Sequence, residues 1–331
     1  MAIRQPNFFL TVVACALAMI TASAFAPATA QDYPNQPIKI VVPFVAGGGV
    51  DGVARIIAPR LSEELGQTVV VENRGGAGGA IAARAVAKAP PDGYTFLFGT
   101  ASTHGTNPSL YTNLGYDAVQ DFAPVVHIAN SPLVLIASPA RGAHSLKDLI
   151  ALARAKPGSL SFGSYGIGSI NHLNAELFNT MADIQANHIP YRGAAPAMTD
   201  LMAGRLQYAI DGVAISLGPV KSGSIRLLGV GTPRRSRILP EYPTIAESGL
   251  ADFEAVTWSG LFAPAGTPRT IVDLINRKVN AILATASLEA AFAQRGIEPV
   301  GGSPEAFGAK IQSEIRKWTD FVRTKNIRVD R

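Results

Sequence analysis

The 331-residue chain contains a single cysteine, Cys15, close to its N-terminus. One cysteine cannot form an internal disulfide, and no second thiolate is present to share a structural metal ion. Charged residues make up only 16% of the chain and aromatic residues 7%, and no stripe of lysine and arginine alternates with aromatics. The composition therefore argues against nucleic-acid binding, although the net charge of +5 favours anionic solutes in general.

Long hydrophobic runs are also scarce, apart from one segment at the N-terminus. Residues 8–20 are mostly apolar, follow the lone charge of Arg4 and precede small residues that end at Ala30. This order is typical of a secretory signal peptide, and it predicts cleavage before Gln31 and a periplasmic mature protein without cysteine. The run is shorter than the roughly 20 residues of a spanning helix, which disfavours a membrane anchor. A lipoprotein cleavage site at Cys15 is the other alternative.

From Ile38 onward, short β-branched runs alternate with helical patterns, as is typical of parallel βαβ units. The mature chain is longer than one hydrophobic core usually supports, so we expect two lobes joined by two crossings. The expected organisation is a signal peptide at 1–30, a first lobe at 31–130 and 258–331, and a second lobe at 131–257. Two crossings make a hinge, and the cleft between the lobes is a natural ligand site.

Three further features of the sequence carry structural predictions. The polar residues 100–115 predict a loop. Breaks at 130–132 and 258–260 predict that short strands end on either side of each crossing. The helices after residue 287 are expected to pack back on the first lobe, because too few strands follow for a third sheet.

The most specific local feature is a strand that runs into a glycine loop and then a helix, VVPFVAGGGVDG over residues 41–52. Glycines let backbone N–H groups approach a ligand closely, and a helix N-terminus favours an anion. The glycines also satisfy G-x-G-x-x-G, with Glu72 where a dinucleotide site needs its ribose-binding acid. Residues 43–46 separate the strand from the glycines, however, which disfavours a dinucleotide site. A purely structural turn stays open as a further alternative.

A second glycine loop, GSYGIGS over residues 163–169, joins a short strand to a helix in the other lobe. Two helix N-termini would then face each other across one cleft. Ser164 and Ser169 offer hydroxyl donors, but Ser169 stands equally well as the N-cap of its helix. Neither serine lies in the G-x-S-x-G pattern of a nucleophile elbow, so the loop does not indicate a hydrolase.

The five histidines are dispersed, and only His172 and Glu176 have the spacing of neighbours on one helix face. No third metal ligand accompanies them, so no metal site is expected, and His172 is interpreted as packing beneath the cleft loops. Asp211 closes a strand of the second lobe. Its carboxylate either accepts a hydrogen bond from a ligand amine or hydroxyl, or tethers a neighbouring loop through backbone N–H groups.

Several motifs recur in an order that is typical of one family. In the first half they are PF at 43–44, GG at 47–48, VENR at 71–74 followed by GGAGG at 75–79, and PDGYT at 91–95. In the second half they are NPSLY at 107–111, the loop at 163–169, PYRG at 190–193 and LFAPAGTP at 261–268. Together these motifs resemble the substrate-binding proteins of tripartite tricarboxylate transporters, also called Bug receptors, over essentially the whole mature chain.

This resemblance implies an α/β, two-lobed type II periplasmic-binding-protein fold with a hinge and an inter-lobe ligand cleft. The ligand is expected to be held largely by backbone groups and ordered water. Carried onto matching positions, the ligand-binding residues of the first lobe are Phe44, Ala46, Gly47, Gly48, Asp51, Thr103 and Asn107. Those of the second lobe are Ser164, Gly168, Ser169, Tyr191, Arg192, Gly193 and Asp211. Val45, where proline is common, and Tyr165, where a small residue is common, depart from the family pattern and bear on ligand identity.

The implied function is capture of a small carboxylate: a dicarboxylate, a tricarboxylate, an acidic amino acid or an aromatic acid. The implied partners are the membrane permease subunits of a tripartite tricarboxylate-type transporter. The receptor is expected to be a monomer without a cofactor. An enzyme would need a positioned base and nucleophile or a metal site, and the sequence indicates neither. A receptor that senses the same ligand and signals stays open as the alternative.

Overall fold

The computed structural model describes residues 33–329, so the predicted signal peptide lies outside the described residues. Gln36 begins the compact unit that contains the helices and strands discussed below. Within the described range, no helix is both long enough and apolar enough to cross a membrane.

A parallel three-stranded arrangement opens the first lobe. Strand β1 (Ile38–Val42) lies between β2 (Val69–Asn73) and β3 (Thr95–Thr100). The β1 sequence IKIVV is buried along almost its whole length, as expected for a strand covered on both faces. Helices α1 (Gly49–Leu65) and α2 (Ala80–Ala87) connect the strands. The alternation of strands and helices that the sequence predicts from Ile38 onward is confirmed in this part of the chain.

The segment 100–115 is not the loop that its polarity suggests. A π-helical turn, Ser102–Thr106, leads directly into α3 (Asn107–Leu110). Thr103 is fully buried because its hydroxyl group accepts from the Thr100 N–H at 2.9 Å and bonds to Nδ1 of His104 at 2.9 Å. Internal partners of this kind let a polar stretch pack in the interior, which polarity alone does not reveal.

Two long antiparallel strands, β4 (Phe122–Ala137) and β9 (Val256–Pro264), link the lobes. The predicted breaks within them are wrong, because Asn130 pairs with Trp258 and the ladder continues past both positions. Pro132 does not interrupt β4, because it lies at a gap in the strand pairing on the side where its missing N–H would have pointed. On that side of β4, pairing with β10 ends at Asn130 and pairing with β7 begins at the residue after Pro132.

The second lobe is built on the last residues of β4. These pair with β7 (Tyr208–Gly212) and β8 (Arg226–Val230), and β7 continues through β5 (Leu160–Ser164) to β6 (Ala186–Pro190). The helices of this lobe are α4 (Leu146–Ala155), α5 (Ile170–Met181), α6 (Ala194–Met202) and α7 (Val213–Lys221). Sequence reasoning missed α7, since it contains a glycine and a proline and its apolar residues do not follow one face.

After β9 the chain returns to the first lobe. It forms α8 (Arg269–Leu283), α9 (Ala286–Ala293), β10 (Glu298–Pro299) and α10 (Pro304–Lys325). Helix α10 places Phe307 and Ile311 in one buried cluster with Trp258 and Phe262 of β9 and with Val41 of β1.

The main path of the mixed sheet runs β2-β1-β3-β9-β4-β7-β5-β6 through both lobes, so the protein has a two-lobed α/β fold. The predicted lobe limits, 31–130 with 258–331 and 131–257, stay a prediction.

Candidate functional site

A cavity of about 490 Å³ opens where the two lobes meet. Its lining residues come from both glycine loops, from the π-helical turn and α3, from β9 and from the C-terminal segment. They are Phe44, Val50, Gly78, Thr100, Ser102, Asn107, Leu110, Tyr111, Tyr165, Ile167, Gly168, Ser169, Ile170, Asn171, Thr257 and Val329. None of these residues is charged. A larger cavity of about 710 Å³ lies between residues 108–120 and α10, but neither glycine loop reaches it.

The first glycine loop ends at the start of α1. Gly48 is the N-cap in an extended conformation, and it supplies no side chain to the helix. The first N–H groups of a helix have no partner within it. Gly49 is exposed and Val50 is half-buried, so their N–H groups are available to a ligand. Val50 lines the cavity, as does Phe44 at the other end of the loop. The helix macrodipole adds partial positive charge at this point.

Asp51 holds this loop in place. Its carboxylate is 2% exposed and accepts from the N–H of Gly47 at 2.8 Å, from Arg55 Nε at 2.9 Å and from Asn73 Nδ2 at 2.9 Å. Burial alone would raise the pKa of Asp51, but these hydrogen bonds outweigh it and lower the pKa. The geometry therefore places Asp51 behind the loop, outside the cavity lining, while Ala46 and Gly47 are exposed on the loop itself.

The second glycine loop leads into α5, and its serines are engaged within the protein. The hydroxyl group of Ser169 accepts from the His172 N–H at 3.2 Å, so its interpretation as an N-cap is confirmed. Ser169 nevertheless lines the cavity beside Gly168. Ser164 is 1% exposed, and its hydroxyl group bonds to Nε2 of His188 at 2.6 Å.

Gly168 shows why this loop needs glycine. Its φ is 78°, a left-handed conformation that side chains rarely adopt. A Cβ atom there would lie 2.4 Å from Cγ2 of Val329 and 3.3 Å from Leu110. Close packing of the C-terminal segment against the loop therefore excludes larger residues.

Asp211 lies behind two residues that line the cavity. The hydroxyl group of Tyr165 donates to its Oδ2 atom, while Oδ1 accepts from the Gly212 N–H at 2.7 Å and from Asn171 Nδ2 at 3.4 Å. Burial raises the pKa of Asp211 to about 6, against the lowering effect of these donors. Of the two roles that the sequence left open, the structure shows the tether, made mainly through the side chain of Tyr165 in the neighbouring loop.

The remaining predicted residues fall into two groups. Asn107 lines the cavity and donates to the Gly78 carbonyl at 3.0 Å, whereas Thr103 is fully buried and satisfied within the first lobe. Residues 191–193 follow β6 and are not among the cavity-lining residues. The hydroxyl group of Tyr191 donates to Asp200 at 2.7 Å, and Arg192 is exposed.

Three of the histidines, His104, His127 and His172, are buried, and His188 is half-buried. His172 is 5% exposed, and its ring stacks on that of His188 with 4.0 Å between centroids. Burial lowers the pKa of both rings to about 4, so the 3.9 Å approach of Glu176 to His172 is not an ion pair at neutral pH. Within residues 33–329 no three histidine, cysteine, aspartate or glutamate side chains form a possible metal site.

Many residues that line the cavity were not predicted from the sequence as ligand-binding: Val50, Gly78, Thr100, Ser102, Leu110, Tyr111, Ile167, Ile170, Asn171, Thr257 and Val329. The sequence did draw attention to Tyr165, since this large residue stands in a loop of mostly small ones. Nothing in the sequence indicated Ser102 or Thr257, because only the π-helical turn and the path of β9 bring them to the cavity.

Comparison with known proteins identifies the family of this chain. The sequence profile described as "TctC: Tripartite tricarboxylate transporter family receptor" matches residues 53–327. Protein BugT of Bordetella pertussis is 39% identical over 304 residues, covering 92% of this chain and 93% of BugT.

Two solved structures extend the likeness to three dimensions. The structure described as R. palustris Rpa4515 with adipate is 41% identical, with a TM-score of 0.79, and covers 90% of this chain and 100% of that one. MatC (Rpa3494) from Rhodopseudomonas palustris, with bound malate, is 31% identical, with a TM-score of 0.75, over 88% of this chain and 100% of MatC. The chain described here belongs to the TctC family of tripartite tricarboxylate transporter receptors.

Proposed function

We propose that this protein is a periplasmic receptor that binds a small carboxylate between its lobes and delivers it to a tripartite tricarboxylate-type membrane transporter. The observation that carries the proposal is the inter-lobe cavity, which has no charged side chain in its lining and adjoins an uncapped helix N-terminus. Such a site selects anions through backbone N–H groups. Its volume falls within the roughly 300–1,000 Å³ of small-molecule sites.

In this proposal, each of the two glycine loops contributes backbone N–H donors to the ligand. The N–H groups at the start of α1 hold one carboxylate, and those of Ile170 and Asn171 at the start of α5 approach from the other lobe. Each helix N-terminus carries about half a positive charge and favours an anion by roughly 0.3 to 1 kcal/mol at exposed sites. Adipate and malate, found with the two related structures, are small dicarboxylates, which supports a ligand of this class here.

The same geometry supports a receptor without catalytic activity. The pair of Ser164 and His188 is the arrangement closest to a nucleophile with its base. Ser164 is nevertheless almost fully buried and does not line the cavity, so a bound solute would not reach its hydroxyl group. We further propose export by the predicted signal peptide and function as a monomer with permease subunits as partners.

A panel of solutes tests the proposal by thermal unfolding. At least one of succinate, glutarate, adipate, malate, citrate or benzoate should raise the melting temperature by a few degrees. A ligand at about 100 times its Kd stabilises the folded state by roughly 2.7 kcal/mol, which corresponds to a shift of that size in a chain of this length. The matching amides should leave the melting temperature unchanged. An amide that shifts it as strongly as its acid would contradict carboxylate recognition.

Substitution of Gly49 tests the role of α1 in isolation. Gly49→Pro should weaken carboxylate binding by roughly 10-fold or more, because it removes an N–H donor to an anion worth about 1.5–3 kcal/mol. The helix should persist, since proline is favoured at the first helical position and Gly48 already has the extended conformation that a following proline needs.

Gly49→Ala is the matched control, because it keeps the N–H and its Cβ meets no atom within 4 Å. Its affinity, measured by titration calorimetry, should stay close to that of the unmodified protein. Equal affinities for the proline and alanine variants would mean that the carboxylate is held elsewhere.

A further inference from the structure

Two cavity-lining residues, Tyr165 and Asn171, hydrogen-bond to a carboxylate that is itself outside the lining. Asp211 is 5% exposed, and both of its oxygens accept hydrogen bonds within the protein. One oxygen accepts from the Tyr165 hydroxyl group, and the other from the Gly212 N–H and from Asn171. This acid is therefore next to the site without being available to a ligand.

The cavity lining contains donors for an anion but no carboxylate to accept from a cation. Neither aspartate nor glutamate occurs among the lining residues, and Asp51 faces Gly47, Arg55 and Asn73 behind the first loop. A ligand ammonium group would lose its hydrating water on entering the cavity and would find no carboxylate there to pair with. Burying an unpaired charge in this way is unfavourable. An acidic amino acid differs from a plain dicarboxylate by this one group.

We propose that Tyr165 is a specificity-determining residue: by covering Asp211 it makes the site select carboxylates that lack an amino group and reject acidic amino acids. This inference rests on the proposed carboxylate-binding function. The aromatic ring acts as a screen between the cavity and Asp211, and its hydroxyl group occupies Oδ2, the oxygen that a ligand ammonium would otherwise use. A small residue at position 165 would leave Asp211 reachable from the cavity.

Matched pairs of ligands measure the discrimination in the unmodified protein. Titration calorimetry compares succinate with aspartate, glutarate with glutamate, and adipate with 2-aminoadipate. In the pair that binds best, the plain acid should bind on the order of 100-fold more tightly than its amino counterpart, because a polar group left unpaired in a site is strongly rejected. If no plain acid binds, the proposed function fails. If both members of the pair bind equally, only the present inference fails.

Three variants test whether Tyr165 and Asp211 together cause the preference for the plain acid. Tyr165→Ala should reduce the ratio at least 10-fold by exposing Asp211, and Tyr165→Ala combined with Asp211→Asn should restore it. Tyr165→Phe should keep a ratio close to that of the unmodified protein, because the ring still screens the carboxylate. The inference is overturned if Tyr165→Ala leaves the ratio unchanged, if the double variant behaves like Tyr165→Ala, or if Tyr165→Phe loses the preference as fully as alanine. Thermal unfolding followed by circular dichroism verifies that each variant is folded. If a variant does not fold, the affinity ratio of the two ligands in the unmodified protein still tests the inference.

Discussion

The free energy of unfolding should fall steeply as the pH is lowered from about 6.5 to 4. Burial lowers the pKa of four histidines in the folded protein: His104 to about 3, and His127, His172 and His188 to about 4. Positive charge would be especially costly on His104 and His127, whose Nε2 atoms are buried without a hydrogen-bond partner. Protonation of His172 at Nδ1 would also remove the acceptor of the Gly168 N–H in the second glycine loop.

The sign follows from proton uptake. Between pH 6.5 and 4 the unfolded chain protonates these imidazoles and the folded protein does not, so acid favours unfolding. Each fully buried histidine contributes about 1.4 kcal/mol per pH unit across this window. Asp211 and Glu176 act in the opposite direction, because burial raises the pKa of both carboxyl groups, that of Asp211 to about 6, and a raised pKa adds stability as the pH falls toward 4. The four histidines outnumber these two carboxyl groups, and the net change is a loss of several kcal/mol.

Urea unfolding at half-unit steps from pH 7.5 to 4.5 measures this slope. His172→Asn should reduce it by about 1.4 kcal/mol per pH unit, because asparagine keeps an acceptor for the Gly168 N–H but does not titrate. His144 is exposed, so His144→Asn should leave the slope unchanged. A pH-independent free energy of unfolding in this range, or equal slopes in the two variants, would show that the buried rings do not control acid stability.

Removal of the Asp51 carboxylate should affect stability and binding together. Asp51→Ala should lower the free energy of unfolding by about 1–3 kcal/mol, because it removes a buried carboxylate that accepts hydrogen bonds from the Gly47 N–H and from Asn73. It should also weaken carboxylate binding at least 10-fold, since the loop that presents the start of α1 loses its anchor. Urea unfolding and titration calorimetry give the two numbers.

Arg55→Ala is the control for this change. It removes one donor to Asp51 from a side chain that is about half exposed (52%) and leaves the bond from Gly47 intact. Water screens the half-exposed guanidinium, so this ion pair contributes about 1 kcal/mol at most, and binding should be almost unaffected. An Asp51→Ala protein that binds its ligand normally would show that the loop does not need this carboxylate.

The sequence alone determined most of the elements of the first lobe and both glycine loops. Strand β1 can be predicted from the sequence, because a short run of β-branched residues is typically buried in a parallel sheet. The helix starts are readable because glycine before a helix and Ser169 at an N-cap are local signals that depend on few neighbours. The family motifs then predicted the position of the cleft, and the matching profile over residues 53–327 confirms the family.

Only the tertiary structure decided which polar side chains remain free to meet a ligand. Asp51, Thr103 and Ser164 find their partners within the protein, and Asp211 is covered by Tyr165 from a loop 46 positions away in the chain. Tertiary pairing likewise carries β4 past Pro132, where sequence predicts a break. Several of these partners, such as Asn73 for Asp51 and His188 for Ser164, lie far away in the sequence, and no local pattern records which distant residues the fold will bring together.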